Sequence, residues 1–214
     1  MAFKELTQKL SLDDFFKKAF EAFYRFRLDH HSPGHLEKAD VIVALSFGMR
    51  ENGPGESNRH LARIVEDLHN RYKLPVIAQW EIGDDVLIDN DYLPHIVREP
   101  RPRTLGRFDN LLGKVFGTSK KDGSKAYLDT YEVLAQAANV AHPRGWRKAI
   151  IVAHGDHGWR VAKTAERFGF EVLVPYAQTH AYDRESIQSY TRSRLRFLPR
   201  EIATRFYYIL KGWL

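Results

Sequence analysis

Residues 148–175, KAIIVAHGDHGWRVAKTAERFGFEVLVP, decide the fold. Ala149 to Ala153 are five apolar residues with no polar alternation, the pattern of a strand covered on both faces of a parallel sheet. A His-rich turn follows, and from His157 the spacing becomes helical. Trp159, Ala162, Ala165 and Phe168 share one face, while Arg160, Lys163, Glu166 and Arg167 lie largely on another. Gly169 ends the helix, Glu171 to Val174 supply a second strand, and Pro175 stops it. The unit is strand, turn, helix, strand.

In an open parallel sheet, ligands bind outside the carboxyl ends of the strands. His154, Gly155, Asp156 and His157 fall there. Asp156 or His157 is expected near the N-cap, where unpaired amides and the helix dipole favour an anion, and Arg160 one turn on can add a fork of donors. The same residue types also fit a purely structural turn, with Asp156 capping the helix and Arg160 in solvent.

Further apolar runs flank this unit. Asp40 to Leu45, DVIVAL, reads as the first strand and leads into Ser46-Phe47-Gly48 and the loop ENGPGES. A glycine-bearing loop ahead of a helix over 58–72 can bring amides to a phosphate, although it matches neither G-x-G-x-x-G nor a P-loop. Arg59, in the first turn of that helix, either holds an anion or pairs with Glu56. Leu74 to Trp80 form the next strand, and Glu81 at its carboxyl end is the first candidate for a polar site member. From Asp129, DTYEVLAQAANVAH reads as a helix capped by Asp129 or Thr130, with Glu132 near the positive end of its dipole. PREIATRFYYILKGW closes the chain as a helix begun by Pro199, its aromatic face buried.

Outside this frame lie two segments. Ser11 to Leu28 carries Phe15, Phe20 and Phe23 at helical spacing and makes residues 1–37 an N-terminal helical extension packed on the same domain. Residues 83–123 form an irregular insert with Arg98, Arg101, Arg103 and Arg107, either a solvated loop or an arginine lid over an anionic ligand.

A chain of 214 residues suits one domain, and a 43% hydrophobic share excludes disorder. With no cysteine there is neither a disulfide framework nor a thiolate nucleophile, and any metal would have to be held by His, Asp or Glu. Nowhere do ~20 consecutive apolar residues occur, and the N-terminus has no small-residue cleavage site, so the chain reads as soluble and cytoplasmic, without a membrane span. The net charge of +6 is compatible with an anionic ligand or nucleic acid, but its basic residues are scattered rather than clustered into a nucleic-acid arm. The expected architecture is therefore a three-layer α/β domain with a mainly parallel sheet.

The ordered motifs resemble the YdcF/SanA/ElyC-like family. They are Ser57 and Arg59 in ESNRHLA, Thr130 and Glu132 in DTYEVLAQA, and His157, Arg160 and Ala162 in HGDHGWRVA, spread over residues 38 to 214 together with the closing helix. Asp129 stands where that family usually has Asn, and AQWEIG replaces its S-G-G turn. The resemblance implies a Rossmann-like fold with a strand-end pocket.

Three functions compete. The first is an enzyme or binding protein for a small anionic or nucleotide-like ligand, of S-adenosylmethionine or phosphosugar type. His157 would transfer a proton, Glu81 or Glu132 would orient it or the substrate, and Arg59 and Arg160 would hold the anion. Ser46, Gly48, Thr130, His154 and Asp156 complete the candidate ligand contacts. The second is metal-assisted hydrolysis by His154, Asp156 and His157, although neighbours in a tight turn seldom converge on one ion. The third is nucleic-acid binding by the Arg98 to Arg107 segment. No motif specifies a cofactor or an oligomeric state.

Overall fold

The computed structural model describes residues 35–88, 95–97, 128–175 and 178–214. The phenylalanine-rich helix expected over 11–28 and the Arg98 to Arg107 segment lie outside them. The architecture is the expected one: a Rossmann-like α/β sandwich on an all-parallel sheet.

Strands β1 (Val41–Ala44), β2 (Val76–Gln79), β4 (Lys148–Val152) and β5 (Glu171–Leu173) coincide with the four apolar runs. A further strand, β3 (His95–Val97), lies in the stretch read as an irregular insert. It contributes three residues at the sheet edge beside β2, too short a run for alternation or composition to mark. The order is β3-β2-β1-β4-β5. The chain works outward from β1 in one direction and then returns to add β4 and β5 on its other side.

Alternate residues of β1 supply the two cores. Val41, Val43 and Leu45 meet Val133, Leu134 and Ala137 of α3 (Thr130–Ala141) and Val161, Ala162 and Ala165 of α4 (Gly155–Arg167). Ile42 and Ala44 face Leu61, Ala62 and Val65 of α1 (Glu56–Tyr72) and Phe197 of α5 (Arg194–Lys211). Both faces of the strand are thus dry, which is why it reads as an unbroken apolar run. A four-residue helix, α2 (Trp80–Gly83), follows β2 directly.

Three helix starts differ from expectation, the first by two residues, since α1 begins at Glu56 rather than at Asn58. Helix α4 begins at Gly155 with His154 as its N-cap, so Asp156 and His157 sit inside the first turn. Helix α5 begins at Arg194, ahead of Pro199. A proline removes only one ladder bond, and the first turn is tied down by the amides of Arg196 and Phe197, which donate to Ser193 O.

The loop from β1 to α1 is fixed from inside. Buried Asn58 accepts from the Phe47 amide at 2.8 Å and donates to the carbonyls of Gly48 at 2.8 Å and Pro54 at 2.6 Å. The N-cap of α1 is Gly55, which has no side chain and lies at φ 83°, so Asp183 caps the helix from a distance. Its carboxylate accepts from the Glu56 amide at 3.1 Å, from Arg50 Nε and Nη2 at 2.8 and 2.9 Å, and from the Glu185 amide at 3.0 Å. A Cβ at position 55 would strike that carboxylate. Replacing Asp183 by Ala is expected to cost about 1–2 kcal/mol in urea unfolding, because it removes the cap from the Glu56 amide, while Arg50 keeps its ion pair with Glu185 at 2.7 Å. A loss under 1 kcal/mol would show that the latch contributes little.

Candidate functional site

Because β2 and β4 leave β1 in opposite directions, the loops after β1 and β4 diverge at its carboxyl end, the topological switch point at which such sheets place ligands. Here an aromatic group fills the divergence. Phe47 stacks on His154 with ring centroids 3.8 Å apart at 12°, while Phe197 and Tyr182 meet Phe47 edge-on at 4.8 and 5.5 Å. Polar side chains flank this group on both sides.

On the β2 side are Ser46, Gln79 and Glu81, all buried. Gln79 accepts from the Ser46 amide at 3.1 Å and donates to Glu81 Oε1 at 3.3 Å. The second carboxylate oxygen, Oε2, and the Ser46 hydroxyl are buried and make no hydrogen bond to a third group. Burial pushes the Glu81 pKa up to about 7, with the Glu81 backbone, Ser46 and Gln79 only partly opposing it. A carboxyl poised there exchanges protons at neutral pH. Its effect on stability has a definite sign. Between pH 4.5 and 7 the folded chain keeps a proton that the unfolded chain has lost, so stability falls as pH rises through that window, by roughly 3 kcal/mol. Glu81→Gln is expected to flatten this decline in denaturation curves recorded at pH 5, 6, 7 and 8. An unchanged slope would show that Glu81 titrates normally.

On the α4 side, His157, Thr130 and Arg160 meet. Thr130 Oγ1 lies 3.2 Å from His157 Nε2 and accepts from Arg160 Nη1 at 2.9 Å. The guanidinium of Arg160 is committed to Glu201 of α5, with Nε at 3.0 Å and Nη2 at 2.9 Å from Oε2, so its fork is turned inward rather than toward an anion. Arg205 Nε donates to Glu201 Oε1 at 2.9 Å. Burial alone would raise the Glu201 pKa, but Arg160, His157 and Arg205 outweigh it and hold the carboxylate well below its usual range. Burial, reinforced by the Arg160 charge and only partly opposed by Glu201, lowers His157 to about 4, so it is neutral at pH 7.

Between these groups lies Asp156, whose Oδ2 accepts from the Tyr182 hydroxyl at 2.6 Å and pairs with Arg194 Nε at 3.1 Å. Its Oδ1 has no hydrogen bond, nor do the ring nitrogens of His154, which burial first and then the neighbouring His157 and His180 lower to about 3.

The strand-end loops do not form the phosphate cradle expected from composition. The amides of Ser46, Phe47, Met49 and Arg50 are bonded to Gln79, Asn58, Ser186 and Gly53. Gly48 instead allows a close approach, since a Cβ there would meet Thr191 Oγ1 at 2.7 Å. The start of α4 is covered in the same way. The Gly155 amide donates to Thr179 O at 2.8 Å, and the His180 ring lies where a Cβ of Gly155 would be.

Of the candidate residues, Ser46 and Glu81 therefore form one cluster, Thr130, His157 and Arg160 another, and His154 and Asp156 lie beside the aromatic group. Arg59 is exposed on α1. Glu132 is buried in the first turn of α3, its amide donating to the N-cap Asp129 at 2.8 Å, while Thr130 is the residue of that turn that reaches His157. Among the described residues no three His, Asp or Glu side chains converge to hold a metal ion, so His154, Asp156 and His157 do not make the ligand set considered above. Nor is any helix among them long and apolar enough to cross a membrane.

Glu201 and Arg205 escaped the reading of the sequence. Their signal was present: both are charged, four residues apart, on the stripe of α5 that also buries Phe197 and Tyr208. Charges inside an apolar stripe announce a buried pair. No protein-family model, curated protein or solved structure matches the chain significantly.

Proposed function

We propose that this chain binds a small hydroxyl-bearing ligand of nucleotide or sugar type at the carboxyl ends of β1, β2 and β4, and acts on it by proton transfer. We also read the ordered motifs as kinship with the YdcF/SanA/ElyC-like family. The meeting of Thr130, His157 and Arg160 from two of those motifs supports that reading.

One observation carries the ligand proposal. Ser46 Oγ, Glu81 Oε2 and Asp156 Oδ1 are all buried, make no hydrogen bond outside this group, and all lie at the ends of the central strands. Each such atom costs about 1–3 kcal/mol, so their concentration at the switch point is the mark of a binding surface rather than of packing. Two of the three are carboxylate oxygens, which accept from hydroxyls as acidic residues do from a ribose. The arginines nearest them are shared with protein carboxylates, Arg160 with Glu201 and Arg194 with Asp156, so hydroxyls rather than phosphates make the principal contacts. Glu81 and neutral His157 are the proton-transfer groups.

Isothermal titration with adenosine, S-adenosylmethionine and glucose 1-phosphate tests this directly. At least one probe is expected to bind, and Glu81→Ala is expected to weaken it by about 10- to 100-fold, the loss of one charged hydrogen bond. Absence of binding by all three, or an affinity indifferent to both Glu81→Ala and Asp156→Asn, would remove the proposal.

A further inference from the structure

We propose that Thr130, His157 and Glu201 form a hydroxyl-activating relay, in which Thr130 is the nucleophile for acyl transfer, His157 its general base and Glu201 the positioning residue. The inference rests on the ligand reading above for its substrate class, an acyl ester of a hydroxyl-bearing small molecule.

The relay follows from donor and acceptor assignment. Arginine has no acceptor, so in the 2.9 Å contact Arg160 Nη1 donates and Thr130 Oγ1 accepts. The hydroxyl proton of Thr130 is then available for His157 Nε2, 3.2 Å away. That bond requires Nε2 to be the bare nitrogen, which places the ring's single proton on Nδ1. The opposite tautomer would turn the Nδ1 lone pair toward Glu201 Oε2, 3.7 Å distant and negatively charged. Electrostatics and hydrogen bonding therefore select the same tautomer, hydroxyl to Nε2 and Nδ1–H toward carboxylate, the order in which hydroxyl nucleophiles are activated by a base and its orienting acid. Glu201 is itself held by Arg160 and Arg205, so the carboxylate cannot rotate away.

The chemistry balances without a further reactant. As the Thr130 oxygen attacks an ester carbonyl, its proton passes to His157 Nε2. The tetrahedral adduct then expels the alcohol, which takes that proton, and leaves an acyl group on Thr130. Water, deprotonated by the same nitrogen, attacks the acyl carbonyl, and the second adduct expels the Thr130 oxygen, which takes that proton back as the acid leaves. The Arg160 Nη1 donor, 2.9 Å from the attacking oxygen, favours loss of its proton to His157. Arg160 and Arg205 both direct their guanidiniums to Glu201 rather than outward to a phosphoryl dianion, so a neutral ester carbonyl is the fitting electrophile.

The full-length protein incubated with p-nitrophenyl acetate gives the test. Intact-mass and peptide analysis are expected to find one acetyl group on Thr130, retained in Thr130→Ser and absent in Thr130→Val, with His157→Asn slowing acetylation by about 10²- to 10⁴-fold. Nitrogen NMR of His157 should report the Nδ1–H tautomer, and Glu201→Gln should shift the ring population toward Nε2–H, which a purely structural role for Glu201 would not do. Acetyl found only on surface lysines, or on Thr130 equally in His157→Asn, overturns the relay, as does an Nε2–H tautomer in the unaltered protein. If Thr130→Val still binds the probe that titrates into the strand-end site while no acetylation of Thr130 is seen in any form, the relay fails and the ligand reading stands.

Discussion

Lowering the pH from 7 toward 4 is expected to unfold the protein cooperatively, with His154 and His157 as the principal cause. His154 lies against Phe47 of the β1 loop, Tyr182 and the His180 ring, with both nitrogens buried. His157 is faced by Thr130 of α3, by Arg160 on its own helix and by Glu201 and Arg205 of α5. Burial depresses the first to about 3 and the second to about 4, from an ordinary 6.5. Between those values and 6.5 the unfolded chain binds protons that the folded chain refuses. Stability is therefore complete above pH 6.5 and is lost as pH falls toward 4 and then 3, by roughly 8 kcal/mol for the two together. That equals the whole stability of many domains. The Glu81 contribution runs the other way, so the two opposing trends put maximum stability close to pH 6.5–7. Circular dichroism across a pH series should show the acid transition, and His154→Phe, which keeps a ring to stack on Phe47, should move it to lower pH. A transition that is the same in His154→Phe and in the parent would show that this ring protonates without unfolding.

Replacing Glu201 by Ala should cost about 3–5 kcal/mol in denaturant unfolding, among the largest effects open to a single residue in this chain. The carboxylate is fully buried and receives Arg160 through two nitrogens and Arg205 through one. Removing it takes from two guanidiniums, 8% and 5% exposed, the carboxylate that they share. Glu201→Gln keeps the shape and one acceptor oxygen and should be intermediate. The penalty belongs to buried arginines deprived of their shared carboxylate, so Glu201→Leu combined with Arg160→Met and Arg205→Leu should recover most of it. If the single and triple replacements prove equally damaging, the cause is lost packing instead of unpaired charge.

The fold was legible wherever a strand is covered on both faces. Residues 41–44 and 149–152 are so thoroughly enclosed that nearly every residue must be apolar, and such runs declare themselves without any reference to the rest of the chain. Strand β3 did not declare itself, because three edge residues leave no periodicity to read. Of the site, Glu81, His157 and Thr130 could be nominated because strand ends and helix starts in such sheets are where chemistry gathers. What sequence could not supply was the pairing. Whether Arg160 offers its fork to a ligand or to Glu201 depends on where α5 packs, a contact across 41 residues of chain that no local pattern encodes. The same holds for Asp183, whose cap on α1 reaches back 127 residues to the Glu56 amide.

That separation has a consequence for synthesis. Arg160 leaves the ribosome well before Glu201, and on a nascent chain lacking α5 its guanidinium has neither the Glu201 carboxylate nor the Tyr208 ring over it and stays in water. The sheet can begin to assemble, but the helical layer over its α3–α4 face cannot close at low energy until the later carboxylate arrives. A translational pause ahead of residue 201 would accordingly hold the chain in a loosened, protease-sensitive form, and release would convert it to the compact state in one step.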